Sequence, residues 1–494
     1  GSDKKKMEMD IVDEQLDTLG RAVMGMTIGC ARCHDHKFDP ISQADYYGLA
    51  GIFTSTRTME SFLTIARWHE NGVGSDLEMS AKAAHNRRVA EAEAQVDALV
   101  ATANEALRAA STPPGTLPGD PESKYPDETK AKLAALRAAV VAVQTKSPDV
   151  PTAMGVTEGR VADTPVLIRG DHTAPGQVVP RRFPVAIAGA AQPTLSPGQS
   201  GRLDLANWLT RPDHPLTSRV MVNRIWRWHF GRGLVRTPDN FGRLGEQPDN
   251  PALLDWLARR FVESGWSVKA MHRLIMSSST YQMSAAAPDA HLAQLDPENR
   301  LQSRAELRRV EGETLRDALL AVSGLLDRAA GGPSVTHVKN REFFFDHTSK
   351  DGTTYDSRRR SVYLPVVRNN LYDVFQLFDC PDAAVPNGDR ATTTVPPQAL
   401  FFLNGELIHQ ASDALAATLL ALPAADDAGR VRELHRRAFG RPATDAEVAR
   451  SLALVSELDN ETGATEPDAA KRRRQAWAWL CQTVLASNEF VYVN

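Results

Sequence analysis

At 494 residues, 42% hydrophobic and 24% charged, the chain is long enough for roughly two to four domains and too apolar to be disordered. A formal net charge of −4 with no strongly basic half excludes electrostatic attraction to nucleic acid, and no run reaches the roughly 18 apolar residues of a membrane span. Four cysteines in this length exclude a small disulfide scaffold; Cys380 and Cys481, far apart and outside any motif, read as buried apolar filler.

The chain opens on GSDKKKMEMD, without a signal peptide's apolar segment, and so reads as a mature or truncated product. From Asp10, the residues Val12, Leu16, Leu19 and Val23 fall on one face of an amphipathic helix predicted to stop at Gly25 to Gly29. A second helix is predicted in QADYYGLAGIF, with Tyr47, Leu49 and Phe53 and a start near Ser42 or Gln43.

Between these helices stands CARCHDHKFD. Cys30, Cys33 and His34 fit C-x-x-C-H, the pattern of covalent c-type haem attachment. Two thiols three residues apart reach the two vinyl groups of one porphyrin edge, and the next residue places an imidazole against the iron. Two other readings share these residues. Cys30, Cys33, His34, His36 and Asp39 are also a donor set for zinc or another transition metal, and C-x-x-C is sufficient for a local disulfide. With haem, His34 is the proximal ligand and the metal-binding residue, and Asp35, His36 and Asp39 are the candidate catalytic residues around it, His36 lying too close in sequence to reach the opposite face. The sequence selects no distal ligand from His69, His172, His229, His272, His347, His409, Met24 or Met26.

From about Glu78 to Thr145 the composition turns to Ala, Glu, Arg and Lys, broken by STPPGTLPGDPESKYPD. This predicts a helical hairpin whose tip, Ser111 to Asp127, is polar and dispensable for stability. PVLIRG and QVVP are strand candidates, and Asp171 and His172 between them read as loop residues able to meet a ligand.

Beyond Gly201 the pattern is helical: LDLANWLTR, SRVMVNRIWRWHF, PALLDWLARRFVESG, SVKAMHRLIMSSSTY, AELRRVEGETLRDALLAVSGLLD and QAWAWLCQTVLASNEF. Val222, Ile225, Trp226 and His229 share a face that reads as core, with sugar stacking as the functional rival. Arg309, Glu313, Arg316 and Asp317 read as ion pairs along one helix. No nucleophile elbow, Gly-x-Gly-x-x-Gly or phosphate loop is present, and no spacing selects two of the 61 acidic residues as a glycosidase pair. The expected fold is mainly α, a multi-helix domain with an inserted helical hairpin and a small β portion.

GCARCHDHKFDPISQADYYGLAGIF resembles the end of the planctomycete cytochrome-type domain DUF1549. RVMVNRIWRWHFGRGLVRTPDNFG, RRVEGETLRDALLAVSG, TTTVPPQALFFLN and LASNEFVYVN resemble the planctomycete-specific domain DUF1553 that follows it. The expected organisation is 1–63 for the first, 64–150 for the hairpin, 151–200 for the β segment and 201–494 for the second. The resemblance implies export to the periplasm or cell surface and a setting of polysaccharide breakdown, hence a carbohydrate substrate and a redox partner protein as expected partners. It also implies a long helical region ahead of the cysteine motif, which this chain lacks. Three functions are carried forward: a c-type haem oxidoreductase or electron-transfer component, a metal-dependent hydrolase or lyase using His34, His36 and Asp39, and a non-redox glycan-binding scaffold.

Overall fold

The computed structural model describes residues 3–62, 66–110, 116–285, 290–331, 355–366, 370–383, 385–423 and 425–493. Among them the chain is mainly helical, and its β portion consists of short antiparallel strand pairs. It divides into two compact units, one of residues Gly1–Met9, Gly51–Asp163 and Ser196–Arg202, the other of Asp10–Ala50, Thr164–Leu195 and Leu203–Asn494.

The smaller unit sets a helical hairpin beside paired strands. Thr56–Arg57 pairs with Thr157–Glu158, and Glu70–Gly72 pairs with Thr152–Met154. These strands of two or three mostly exposed residues lack the alternation that marks a strand in sequence, so only 151–200 had been expected to hold β structure. The hairpin helices are Asp76–Ala110 and Asp127–Gln144, the first entered through Ser75, whose hydroxyl and amide both bond the Glu78 carboxylate. Their shared seam is small: His85, Leu133 and Val140 are buried while most other side chains face water.

The tip is tied to the hairpin more closely than its polar composition suggests. Residues 111–115 lie outside the described residues, but Tyr125 is buried, its hydroxyl donates to Asn104 Oδ1 at 2.8 Å, and Arg137 grips Glu122 with two bonds of 2.8 and 2.7 Å. An aromatic ring hidden among polar tip residues pins the connection to the first helix.

In the larger unit, Thr164–Leu167 and Pro175–Val179 pair as expected from PVLIRG and QVVP. The helices Thr217–Phe230, Pro251–Glu263 and Val268–Met276 enclose one core in which Val222, Ile225 and Trp226 meet Leu254, Leu257, Phe261, Met271 and Ile275. Asn250 and Ser267 cap the last two helices by accepting the amides of Leu253 and Ala270. A second core joins Gly312–Val322 to the helices Glu406–Leu420, Asp427–Phe439, Asp445–Thr462 and Ala469–Leu485, with Leu315, Leu415, Leu434, Trp477 and Cys481 fully buried.

Two expectations change here. The helix predicted from Ala305 begins only at Gly312, because Arg308–Arg309 is drawn into an antiparallel pair with the closing strand Tyr492–Val493. Arg309 therefore pairs with Asp379, and Glu313 with Arg390, across elements rather than along one helix. Cys481 is buried filler as expected, but Cys380 is only half-buried and its thiol donates to Glu313 Oε1.

Two measurements test this packing. Tyr125→Ala should cost about 3 kcal/mol in the hairpin, read as lost amide-exchange protection over 76–110; undiminished protection would restore the view of the tip as a free loop. His214 is buried edge-on to Trp208, and its Nδ1 accepts the Thr217 amide. Burial, with Arg211 nearby, lowers its pKa from the ordinary 6.5 to about 4. Between those values the unfolded chain binds the proton and the fold does not, so the contribution is complete above pH 6.5 and lost as pH falls toward 4. His214→Gln should flatten that part of a denaturation-versus-pH curve.

Candidate functional site

The helix Lys4–Leu19 ends in a wide turn, Gly20–Met24, and the chain reverses at Gly25, whose φ of 61° is left-handed. A side chain at Gly25 would strike the ring of Phe241, 2.7 Å from its Cβ. Ile28–Arg32 then forms a single tight turn, followed by an open loop into the helix Gln43–Thr54. Met24, Met26, Ile28 and Ala31 are buried and anchor the segment, while Cys30, Cys33 and His34 are exposed and both thiols are free. The two residues between the cysteines thus point inward and the three of the attachment pattern point outward.

Arg32 produces this division. Its guanidinium bonds Asp10 Oδ1 at 2.7 Å and Asp13 Oδ2 at 3.0 Å, two carboxylates one turn apart on the first helix. Burial works against its charge, but the two aspartates outweigh burial and raise its pKa. Tyr46 donates to Asp13 at 2.6 Å, and Tyr47 and the Gln43 amide both donate to the Arg32 carbonyl. Burial pushes the Tyr47 phenol up to about 12, and burial plus Asp13 raises Tyr46 further, so both remain donors at neutral pH.

The polar residues around the motif have separate tasks. His34 Nδ1 lies 2.7 Å from the Asp35 carbonyl; since a carbonyl only accepts, that nitrogen carries the proton and Nε2 carries the lone pair. Asp35 Oδ1 accepts the Gln43 amide at 2.8 Å and starts the following helix. The His36 side chain is buried: its Nδ1 accepts the Asp39 amide at 2.8 Å and its Nε2 meets Thr27 Oγ1 at 3.0 Å, occupying both ring nitrogens. Asp39 is buried too, accepts the Arg243 amide at 2.7 Å, and lies where a side chain on Gly242 would be. Among the described residues no three His, Cys, Asp or Glu side chains are gathered so as to hold one metal ion. The set Cys30, Cys33, His34, His36 and Asp39 is therefore close in sequence without forming a common ligand group.

The loop holding Asp171 and His172 meets the motif. Arg169 and Gly170 are both left-handed, with φ of 56° and 77°, and a Cβ on Gly170 would lie 2.7 Å from Cys33 Sγ. Gln43 Nε2 binds Leu167 O as well as Arg32 O, fixing one loop against the other. The remaining predicted histidines are dispersed. His229 and His272 bond each other at 2.8 Å, His409 is exposed on its helix, His69 lies in the smaller unit between Glu60 and Asn71, and His347 is outside the described residues. Trp226, the ring considered for sugar stacking, is in the core; Trp228 is the exposed one, with the Arg227 guanidinium 4.9 Å from its ring. Sequence reasoning passed over Arg32 and Gly170, the first because nothing marks an arginine inside a motif as paired with two carboxylates of another element, the second because its partner is 137 positions away.

The model of PSD1, a protein of unknown function (DUF1553), matches residues 201–455, more than half of the chain. The chain belongs to the PSD1 family. The model of PSCyt2, a protein of unknown function (DUF1549), matches residues 1–58 and so covers the cysteine loop. No curated protein and no solved structure matches the chain. The PSCyt2 stretch from Asp10 to Ala50 lies in the same compact unit as the PSD1 stretch from Leu203 onward, joined by Asp39 to Arg243, Gly25 to Phe241, and Arg224 to the Arg21 carbonyl at 3.0 Å.

Asp39→Ala removes a buried carboxylate that accepts the Arg243 amide, a bond to a charged group, and should cost about 2 kcal/mol. His36→Ala, which removes bonds at both ring nitrogens, should cost at least as much. Both should lower the denaturation midpoint while leaving the alkylation rates of Cys30 and Cys33 in the folded protein nearly unchanged; faster alkylation without lost stability would show that these residues gate the thiols instead.

Proposed function

We propose that this chain is a c-type haem protein in which Cys30 and Cys33 hold the porphyrin by thioether bonds and His34 ligates the iron. It would act as an oxidoreductase or electron-transfer component at the periplasm or cell surface, with a redox protein as partner and a carbohydrate as candidate substrate. The observation that carries the reading is the state of His34, an exposed residue whose Nδ1 is anchored on a backbone carbonyl, which leaves Nε2 to act as a ligand near two exposed free thiols. A proximal histidine needs that arrangement, because the backbone bond fixes both tautomer and ring orientation. Haem bound there supplies a one-electron iron couple whose potential is set by the second ligand and by burial.

The residues around the motif then have supporting tasks. Arg32 and Ala31 hold the two thiols on one side of the chain, Asp35 starts the helix that closes the loop, and His36 with Asp39 fixes the backbone that leaves the site. A zinc-type site built on His34, His36 and Asp39 loses support because the last two spend their lone pairs on protein donors.

Produced with a periplasmic cytochrome-maturation system, the protein should gain the mass of one haem, and Cys30→Ser with Cys33→Ser should abolish the gain. His34→Ala should prevent maturation or change the spin state, whereas His36→Ala should keep the haem spectrum and lose stability. Full-mass protein with unmodified thiols, or equal loss of a non-haem metal from both histidine variants, would overturn the proposal.

A further inference from the structure

We infer that the outward faces of the helices Pro251–Glu263 and Val268–Met276 form one surface that rests on an anionic lipid bilayer. The inference is independent of the haem proposal. Both helices turn an apolar stripe inward: Leu254, Leu257 and Phe261 from the first and Met271 and Ile275 from the second are buried in their shared core. That burial already satisfies the core, so apolar residues on the opposite side serve something else. Trp256, Val268, Leu274 and Met276 are exposed there, Trp256 by 46% and Met276 by 48%.

These side chains are joined rather than scattered. The Arg260 guanidinium lies 6.0 Å from the centre of the Trp256 ring. Arg260, Glu263 and Ser264 line one side of a hollow of about 270 Å³, and Ala270, Met271 and Leu274 line the other. An indole, an arginine stem and a leucine therefore flank a single depression between the two helices.

The same surface carries unmatched positive charge. Its carboxylates are taken, Glu263 by Arg260 at 3.1 Å and Asp255 by Arg219 at 2.7 Å. Arg259, Lys269 and Arg273 are exposed and make no ion pair among the described residues. On a chain of formal net charge −4 this is a local reversal of sign. Lys269 is the second residue of its helix, where the helix dipole disfavours a cation, so helix stability does not account for it.

Basic side chains set around an exposed tryptophan and aliphatic residues complement an occupant with negative charge outside and an apolar layer beneath. A bilayer offers that combination across both helices at once. The indole settles at the level of the headgroups, Leu274 and Met276 reach the acyl boundary, and the arginine and lysine stems lie along it while their charges meet phosphate. Each basic residue near such a surface adds attraction that fades within a Debye length, which makes the contact sensitive to salt.

The test is flotation of the full chain with vesicles of phosphatidylcholine alone and of a two-to-one mixture of phosphatidylcholine and phosphatidylglycerol. The wild type should float with the mixed vesicles only and be released by about 0.5 M salt. Combining Arg259→Glu, Lys269→Glu and Arg273→Glu should weaken binding by about a hundredfold or more. The control triple Arg87→Glu, Arg88→Glu and Lys132→Glu, three exposed cations of the hairpin, changes the net charge equally and should float as the wild type does. Vesicles with brominated acyl chains should quench the tryptophan fluorescence of the wild type, and Trp256→Phe should float but lose most of that quenching, a reading that stands even if the site triple folds poorly. A wild type that does not float, equal flotation with uncharged vesicles, equal loss in the control triple, or unchanged quenching in Trp256→Phe would overturn the inference. Binding of a deca-glutamate peptide by a wild type that does not float, lost in the site triple, would overturn the bilayer and assign the surface to an acidic protein instead.

Discussion

The candidate site depends on the partial burial of one charge. Arg32 sits between the two cysteines, and taking a guanidinium out of water is tolerable only when its donors are met by anions of good geometry. Asp10 and Asp13, one helical turn apart, meet that demand, and Tyr46 completes the lone pairs of Asp13. Because the side chain is fixed by carboxylates and the carbonyl by Tyr47 and Gln43, the turn Ile28–Arg32 has no rotational freedom left. Its neighbours in sequence must face the other way, which is how Cys30, Cys33 and His34 come to be exposed although Ala31 beside them is fully buried.

The segments flanking this turn tie the PSCyt2 stretch to the PSD1 stretch. Asp39 accepts the Arg243 amide, Phe241 N donates to the Gly25 carbonyl at 2.6 Å, and Arg224 reaches both Arg21 O and Asp239. Asp239 in turn accepts the Gly388 amide, and Arg227 binds Asp389 at 2.6 Å. A chain of charge-assisted bonds therefore runs from the residues preceding the cysteine loop to the loop before TTTVPPQALFFLN. Residues 59–200 separate the PSCyt2 stretch from the PSD1 stretch in sequence, yet Asp10–Ala50 shares one compact unit with the PSD1 residues from Leu203 onward, so damage to either side of these bonds is felt as stability of that unit.

What could be read in the sequence was what depends on local pattern. The helices of the PSD1 region, the buried face of Val222, Ile225 and Trp226, the paired strands around residues 164–179 and the helical hairpin all follow from periodicity and turn residues. The exposure of Cys30, Cys33 and His34 was not legible, since it is set by Arg32 and two aspartates on another element. Nor was the real work of His36 and Asp39, whose partners are backbone amides up to 204 positions away. Tyr125 and Arg309 misled for a common reason: a polar run and a helical period each describe the neighbours, while the residue itself answers to a distant strand or helix.

The other concentration of chemical groups, around Glu313, Arg390 and Cys380, is built differently from the cysteine loop. Burial opposes the charge of Glu313, but Arg390, bonded to both its oxygens at 2.7 and 2.9 Å, prevails and holds the carboxyl below its ordinary range. Burial and the adjacent Glu313 raise the Cys380 thiol above its ordinary range, so it stays protonated at neutral pH and donates to the carboxylate. A protonated thiol is a poor nucleophile, a carboxylate saturated by a guanidinium is a poor base, and the arginine has no charge left to offer an anion. These groups cancel one another and clasp the helix Gly312–Val322 to the segments around Cys380 and Arg390. Cys30, Cys33 and His34 are the reverse case: both thiols are free and all three residues are exposed, while Arg32, His36 and Asp39 beside them are taken up by protein partners.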